Sequence, residues 1–267
     1  MHYLKLRIRG TKKSKVRDKI SIFAQKFNLM LLSEIEIFKK KNKYPDFKPK
    51  AIFFDMDGVL FDSMKFHASS WLKAMLQVGL PFTETEAYMN EGRTGASTID
   101  NVFVAVRGRN ATEKEKKEIY KIKSTHFEAC GKIERMPFAL ELLQKIKAEN
   151  KDIFVVTGSG QPSLIDSLQE NFPDIFKKEK MVTAFDVTNG KPHPEPYLKA
   201  LKKSGLQPWE VVVIENAPLG VESANAAGLF TIAVNTGPLN PEVLSNSGAN
   251  LVLKDMEDLY VKWDKLF

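Results

Sequence analysis

Six short stretches crowded with apolar and β-branched residues recur along the chain: "KAIFFD" (50–55), "DIFVVTG" (152–158), "KMVTAF" (180–185), "VVVIEN" (211–216), "FTIAVNT" (230–236) and "NLVL" (250–253). Strands that are apolar on both faces belong to a parallel sheet covered by helices on both sides. Apolar residues at helical spacing predict those helices over 161–171, 194–204, 217–227, 240–246 and 255–265. The alternation predicts an α/β chain with a doubly wound parallel sheet.

Residues 64–135 break the alternation. They read as helical throughout, as in "HASSWLKAMLQVGL" and "TEKEKKEIYKIKSTHFEA". An insert of that length after the first strand is too long for a βα connection. It is predicted to be a separate helical cap domain over 64–135, with residues 50–63 and 136–267 forming the core domain.

Charge sets the N-terminus apart. Residues 1–50 hold 15 Lys or Arg against 4 Asp or Glu, a balance of +11, whereas 51–267 hold 25 against 29, a balance of −4. Residues 1–49 are therefore predicted to be a basic extension, disordered in part. Within it "RGTKKSKVRDK" reads as solvated, 20–38 as an amphipathic helix and "KKKNKYPDFKPK" as a linker. Two readings stay open: an anchor for an anionic surface, or a tail without function.

The rest of the composition is restrictive. A single cysteine, Cys130, allows no intrachain disulfide and fits a reducing, cytoplasmic setting. No run of about 18 uncharged apolar residues is present, so no membrane span is expected. The N-terminus lacks the pattern of a signal peptide. The acidic body, without interleaved aromatic and basic residues, argues against nucleic acid as a partner. A monomer acting on a small phosphorylated molecule is expected.

In open parallel sheets the ligand crevice lies at the carboxyl ends of the strands. The first predicted strand ends in Asp55 and Asp57, the second in "TGSG" (157–160), and the fourth in Glu215 and Asn216, while a loop after the third carries Lys191. Two acids at a buried strand end are costly unless a cation meets them.

The strings "DMDGV", "VVTGSG", "GKPHPEPY" and "VIENAPLGVESANAAG" resemble, in that order, the motifs of the haloacid dehalogenase superfamily. More narrowly the chain looks like the β-phosphoglucomutase-like branch, over about residues 50–260. The resemblance implies a Rossmann-like core and a Mg²⁺-dependent phosphoryl transfer. Asp55 would attack phosphorus and form an aspartyl phosphate. Asp57 would protonate the leaving oxygen and later activate water. Mg²⁺ would be held by Asp55, the main-chain carbonyl of Asp57 and Asn216. Thr157, the amides of Gly158 and Ser159, and Lys191 suit phosphate oxygens. His67, on the first cap helix, and Glu215 are candidates for orienting roles.

Relatives in this branch commonly carry an acid where this chain has Asn216. The cap loop "MNEGRTGAS" (89–97) offers Glu91 to restore the lost charge, or as a residue that merely caps a helix end. An acidic loop with Gly92 and Gly95 suits a small, highly charged substrate better than a hexose. The strings "EGRTGAST" and "VIENAPLG" resemble those of inorganic pyrophosphatases, so pyrophosphate hydrolysis is the expected activity. A β-phosphoglucomutase or a small sugar-phosphate phosphatase is the alternative.

Overall fold

A computed structural model describes residues 25–160 and 162–266. Helix α1 (25–42) precedes strand β1 (Ala51–Phe54), and then helices α2 (Met64–Gln77), α3 (Glu84–Met89), α4 (Gly95–Arg107) and α5 (Glu113–Glu128) follow without a strand. From there helices and strands alternate: α6 (Ala139–Ala148), β2 (Asp152–Val156), α7 (Pro162–Asn171), β3 (Met181–Val182), α8 (Glu195–Ser204), β4 (Val211–Glu215), α9 (Pro218–Ala226), β5 (Phe230–Val234), α10 (Pro241–Asn246), β6 (Leu251–Leu253) and α11 (Met256–Leu266).

The six strands form one parallel sheet in the order β3-β2-β1-β4-β5-β6. Alternate residues of each strand feed opposite layers. Ile52, Phe54, Ile153, Val155, Val212 and Ile214 pack with Leu142 of α6 and Trp263 of α11. Ala51, Phe53, Phe154, Val156, Val211 and Val213 pack with Tyr197 of α8 and Ala224 of α9. The doubly wound α/β core expected from the strand pattern is the observed fold.

One predicted strand is cut short. The run 180–185 forms only the two residues of β3, because the Asp186 carboxylate caps the Thr183 amide at 2.8 Å and turns 184–186 into a 3₁₀ turn.

The helices α2 to α5 have an apolar cluster of their own, including Met75, Leu80, Ile99, Phe103 and Ile119. The two chain segments that connect them to the sheet run side by side. The Asp62 amide donates to Glu134 O at 2.9 Å and the Met136 amide to Leu60 O at 2.8 Å.

Residues 25–49 depart from the expected solvated extension. Phe27, Leu31 and Phe38 of α1 are buried in the same layer as Ile52 and Trp263. Phe38 and Phe47 both meet the ring of Phe230, at centroid distances of 5.3 and 4.9 Å. Tyr44, in the predicted linker, packs on Trp209 at 5.2 Å and donates to Gly228 O at 3.2 Å. Each large apolar side chain so buried contributes about 1.5–3 kcal/mol. The amphipathic spacing was legible, whereas its docking on the core was not, since spacing does not say which surface an apolar stripe meets. The predicted solvated stretch before residue 25 lies outside the described residues. Among the described residues no helix is long and apolar enough to cross a membrane.

Candidate active site

The sheet reverses direction of growth at β1, with β2 on one side and β4 on the other. Phe54 is in register with Val155 and Ile214, so Asp55 emerges between the ends of both neighbours. The ends of neighbouring strands thus converge at this switch point.

Lys191 ties the core side together. Its Nζ donates to Asp55 Oδ1 at 2.6 Å, to Glu215 Oε1 at 2.6 Å and to Val156 O at 3.0 Å. All three ammonium protons are therefore used within the core. Glu215 is fully occupied as well: Tyr197 donates to Oε1 at 2.9 Å, and the amides of Asn216 and Ala217 donate to Oε2 at 2.9 and 3.0 Å. Its place is to hold Lys191. Burial works against the charge on Lys191, but the Asp55 and Glu215 carboxylates outweigh it and raise the affinity for the proton. Asp55 is pushed up to about 8 by burial, against the pull of Lys191 and with the push of Glu215 and Asp57.

Asp57 faces the helical insertion. Its Oδ1 accepts from Ser63 Oγ at 2.6 Å and from His67 Nε2 at 3.0 Å. His67 Nδ1 lies 2.7 Å from the Nζ of Lys123 on α5. The arrangement assigns a neutral imidazole, with Nε2–H donating to Asp57 and Nδ1 accepting from Lys123. Burial, and then Lys123, hold the His67 pKa below its usual value. Burial opposes ionisation of Asp57, yet His67 and Ser63 hold its pKa below the usual range. Lys123 is lowered to about 7 by burial. Its Nζ lies over the rings of Phe127 and Trp71, at 4.7 and 5.6 Å.

Gly58 makes the turn that follows the two aspartates. It has φ +83°, and a side chain there would lie against the Asn216 amide, whose Cγ would be 2.9 Å from the added carbon. Asn216 Nδ2 donates to Glu91 Oε1 at 2.8 Å, so the loop acid reaches the strand ends. Glu91 is buried, and burial followed by the nearness of Asp55 raises its pKa well above the usual carboxylate range.

The predicted phosphate grip is only partly free. Thr157 is buried and lines the cavity with Gly158 and Ser159, but its Oγ1 accepts from the Ser159 amide at 2.9 Å. That amide therefore serves the loop, and Lys191 serves Asp55 and Glu215. The cavity in front of Asp55 has a volume of about 60 Å³. That is room for a few waters, at about 10–15 Å³ each. Asp57, His67, Glu91, Arg93, Tyr120 and Lys123 complete much of its wall.

A divalent cation is tested by the donors present. Asn216 Oδ1 is buried and has no hydrogen-bond partner. Asp55, Asp57, Glu91 and Glu215 are buried with only Lys191 and Lys123 as buried cations nearby. A hard cation suits such oxygens, and the residues fit it. Among the described residues no three His, Cys, Asp or Glu side chains already form a metal-binding group, because the carboxylates are turned to the partners given above.

Sequence reasoning missed Lys123, Tyr197 and Ser63. Lys123 sat in a helix rich in lysines, yet it lies three residues after Tyr120 and four before Phe127, on the buried stripe of α5. A charged residue where the period demands an apolar one was the signal. Tyr197 closes the "GKPHPEPY" string but carries no sign of its target.

A switch-point crevice thus holds paired aspartates and a buried lysine bridging two acids, next to an inserted helical module. The model of the family "Haloacid dehalogenase-like hydrolase" matches residues 52–234, and the chain belongs to that family, in its β-phosphoglucomutase-like branch. It is 30% identical to hexitol phosphatase A of Escherichia coli (strain K12) over 79% of this chain and 94% of that one. It is 26% identical to β-phosphoglucomutase of Bacillus subtilis (strain 168), covering 79% and 91%. A solved structure from Bacteroides vulgatus, described as a candidate β-phosphoglucomutase, is 55% identical with a TM-score of 0.87, covering 90% of this chain and 97% of that one. None of these relatives is named as a pyrophosphatase, and they do not carry that closer likeness.

Proposed function

We propose that the chain is a Mg²⁺-dependent phosphohydrolase that works through Asp55 on a compact phosphorylated substrate. The observation that carries it is the Asp55 carboxyl on the wall of a small cavity at the end of the sheet, held from behind by the Lys191 ammonium that also meets Glu215.

In this reading Asp57, ionised in the free protein, takes up a proton from solvent as the anionic substrate binds; an Asp55 oxygen attacks phosphorus, the bond to the leaving oxygen breaks, and that oxygen takes the proton of Asp57. His67 then keeps Asp57 oriented while Asp57 takes a proton from the water that attacks the aspartyl phosphate. The Asp55–phosphorus bond breaks, phosphate leaves and Asp55 is restored. Lys191 holds Asp55 Oδ1 in place throughout. Asp55, Asn216 and Glu91 would hold Mg²⁺, which when bound offsets the repulsion between carboxylate and phosphoryl oxygens. The helical insertion limits entry of water to the cavity.

Two substrate readings stand on different observations. The relatives' names favour a phosphorylated sugar, the alternative in the sequence reading, over pyrophosphate. The cavity of about 60 Å³ and the Glu91 carboxyl within it favour a compact, highly charged molecule, with inorganic pyrophosphate first. Phosphate release with Mg²⁺ from pyrophosphate, sorbitol 6-phosphate and glucose 6-phosphate separates them. The highest kcat/KM is expected for pyrophosphate. A preference for the hexitol ester would establish the sugar-phosphate reading instead. Conversion of β-glucose 1-phosphate to glucose 6-phosphate without free phosphate would overturn hydrolysis itself.

A further inference from the structure

Glycine is usually needed where the backbone is left-handed. Gly158 and Gly190, on the core side of the cavity, do not have such a backbone. What each lacks is room. A carbon added to Gly158 would run into the carbonyl oxygen of Gly92, with Gly92 C at 2.8 Å. A carbon added to Gly190 would lie 2.7 Å from Thr94 Cγ2 and 3.2 Å from the Thr94 amide. Both obstacles belong to the one loop, 91–95, that carries Glu91 to Asn216. Gly92 has φ +88° and completes the fit, since a carbon there would be 3.1 Å from Lys191 Cδ.

Two core loops, one after β2 and one before Lys191, therefore give up their side chains to the same segment of the insertion. Behind this contact Thr94 caps α4 by accepting from the Ser97 amide at 3.3 Å, so a shift of the loop at 94 works against that cap.

We propose that Gly158 and Gly190 are specificity-determining positions: their missing side chains let the 91–95 loop seat against the strand ends, and the depth of that seating confines the cavity to compact substrates. The inference rests on the compact-substrate reading given above. A methyl group at either position would lift the loop by about an ångström. Glu91 would then withdraw from Asn216 and the space in front of Asp55 would widen.

Gly190 gives the cleaner test, because Gly158 itself lines the cavity. Kinetics with Mg²⁺ would compare wild type, Gly190→Ala, and Gly190→Ala combined with Thr94→Ser, on pyrophosphate and sorbitol 6-phosphate. The serine removes the obstructing methyl and keeps the hydroxyl that caps α4. For Gly190→Ala, kcat/KM on pyrophosphate is expected to fall about a hundredfold, as for a misplacement of ~1 Å. Activity on the hexitol ester is expected to hold or rise, and the second substitution is expected to restore the wild-type preference. Equal losses on both substrates, or no loss on either, would overturn the proposal. So would failure of Thr94→Ser to reverse the change. Wild-type preference alone decides the substrate reading, whereas the change in ratio between variants decides this one, so the two failures are separable. The backbone at 190 accepts alanine without strain, and a matching Tm for the two variants confirms that folding is not what is measured.

Discussion

Two lysines are buried beside the two aspartates, Lys191 from the core and Lys123 from the helical insertion. Burial alone disfavours the ammonium of both. Lys191 meets two carboxylates at 2.6 Å and holds its proton more tightly than a free lysine. Lys123 meets a neutral imidazole nitrogen and aromatic faces, and its pKa falls to about 7. Equal burial thus yields a fixed charge on one side and a titrating group on the other. The first suits a structural clamp on Asp55. The second can give or withhold a proton at His67, the positioning partner of Asp57.

The sharpest way to break this contrast is to remove each ammonium in turn. Lys191→Met leaves Asp55 and Glu215 buried without their cation, and loss of one partner of a buried pair costs about 3–5 kcal/mol. Urea unfolding should show that loss, and phosphate release should fall by at least one to two decades from the lost charge-assisted contact. Unchanged stability would mean that the lysine is not the clamp. Lys123→Met should behave differently. Folding should be held or improved near pH 6, while kcat falls about tenfold and KM stays within a factor of about two, as expected when one hydrogen bond acting only on chemistry is lost. Loss of kcat should be larger in His67→Ala, and adding Lys123→Met to it should cost little more, because the two residues act in series. Additive losses would show that Lys123 does not act through His67.

The same contrast explains what the sequence made legible. The core side was readable because strand ends point to one edge of a parallel sheet. Asp55, Thr157 and Glu215 each stand at or just past such an end, and Lys191 lies in the loop after the third strand. The insertion side depends on which face of a helix turns inward. His67 was noticed only through resemblance, and Lys123 was lost among neighbours of like charge. Glu91 was reachable by a charge argument, since Asn216 left the strand end one carboxylate short. The N-terminal segment misled for the converse reason. The amphipathic helix was read, but spacing does not say which surface its stripe meets, and Phe27, Leu31 and Phe38 meet the core. Spacing also cannot reveal that Gly158 and Gly190 are small because another segment lies on them.

The most specific effect is in the pH dependence of stability. Free lysine titrates near 10.4, so the folded pKa of about 7 for Lys123 lies below the unfolded one. Between those values the unfolded chain binds a proton that the folded chain has released, and stability gained from this residue rises with pH. Below about pH 7 both states carry the charge, and the full cost of burying the ammonium remains. Lys123→Met removes that cost. Its Tm relative to wild type should be most favourable near pH 6, then decline steadily toward pH 10. Lys191 works in the other direction. Its folded pKa is raised, so its contribution is fully present below the unfolded value near 10.4. The deficit of Lys191→Met should therefore stay nearly constant from pH 6 to just below 8, above which Asp55 ionises more readily beside the lysine than without it. Calorimetric scans of the three proteins below about pH 8 would give one sloping difference and one flat one. A flat difference for Lys123→Met would mean that the insertion's lysine keeps its proton, and the two sides of the site would then differ in geometry but not in charge.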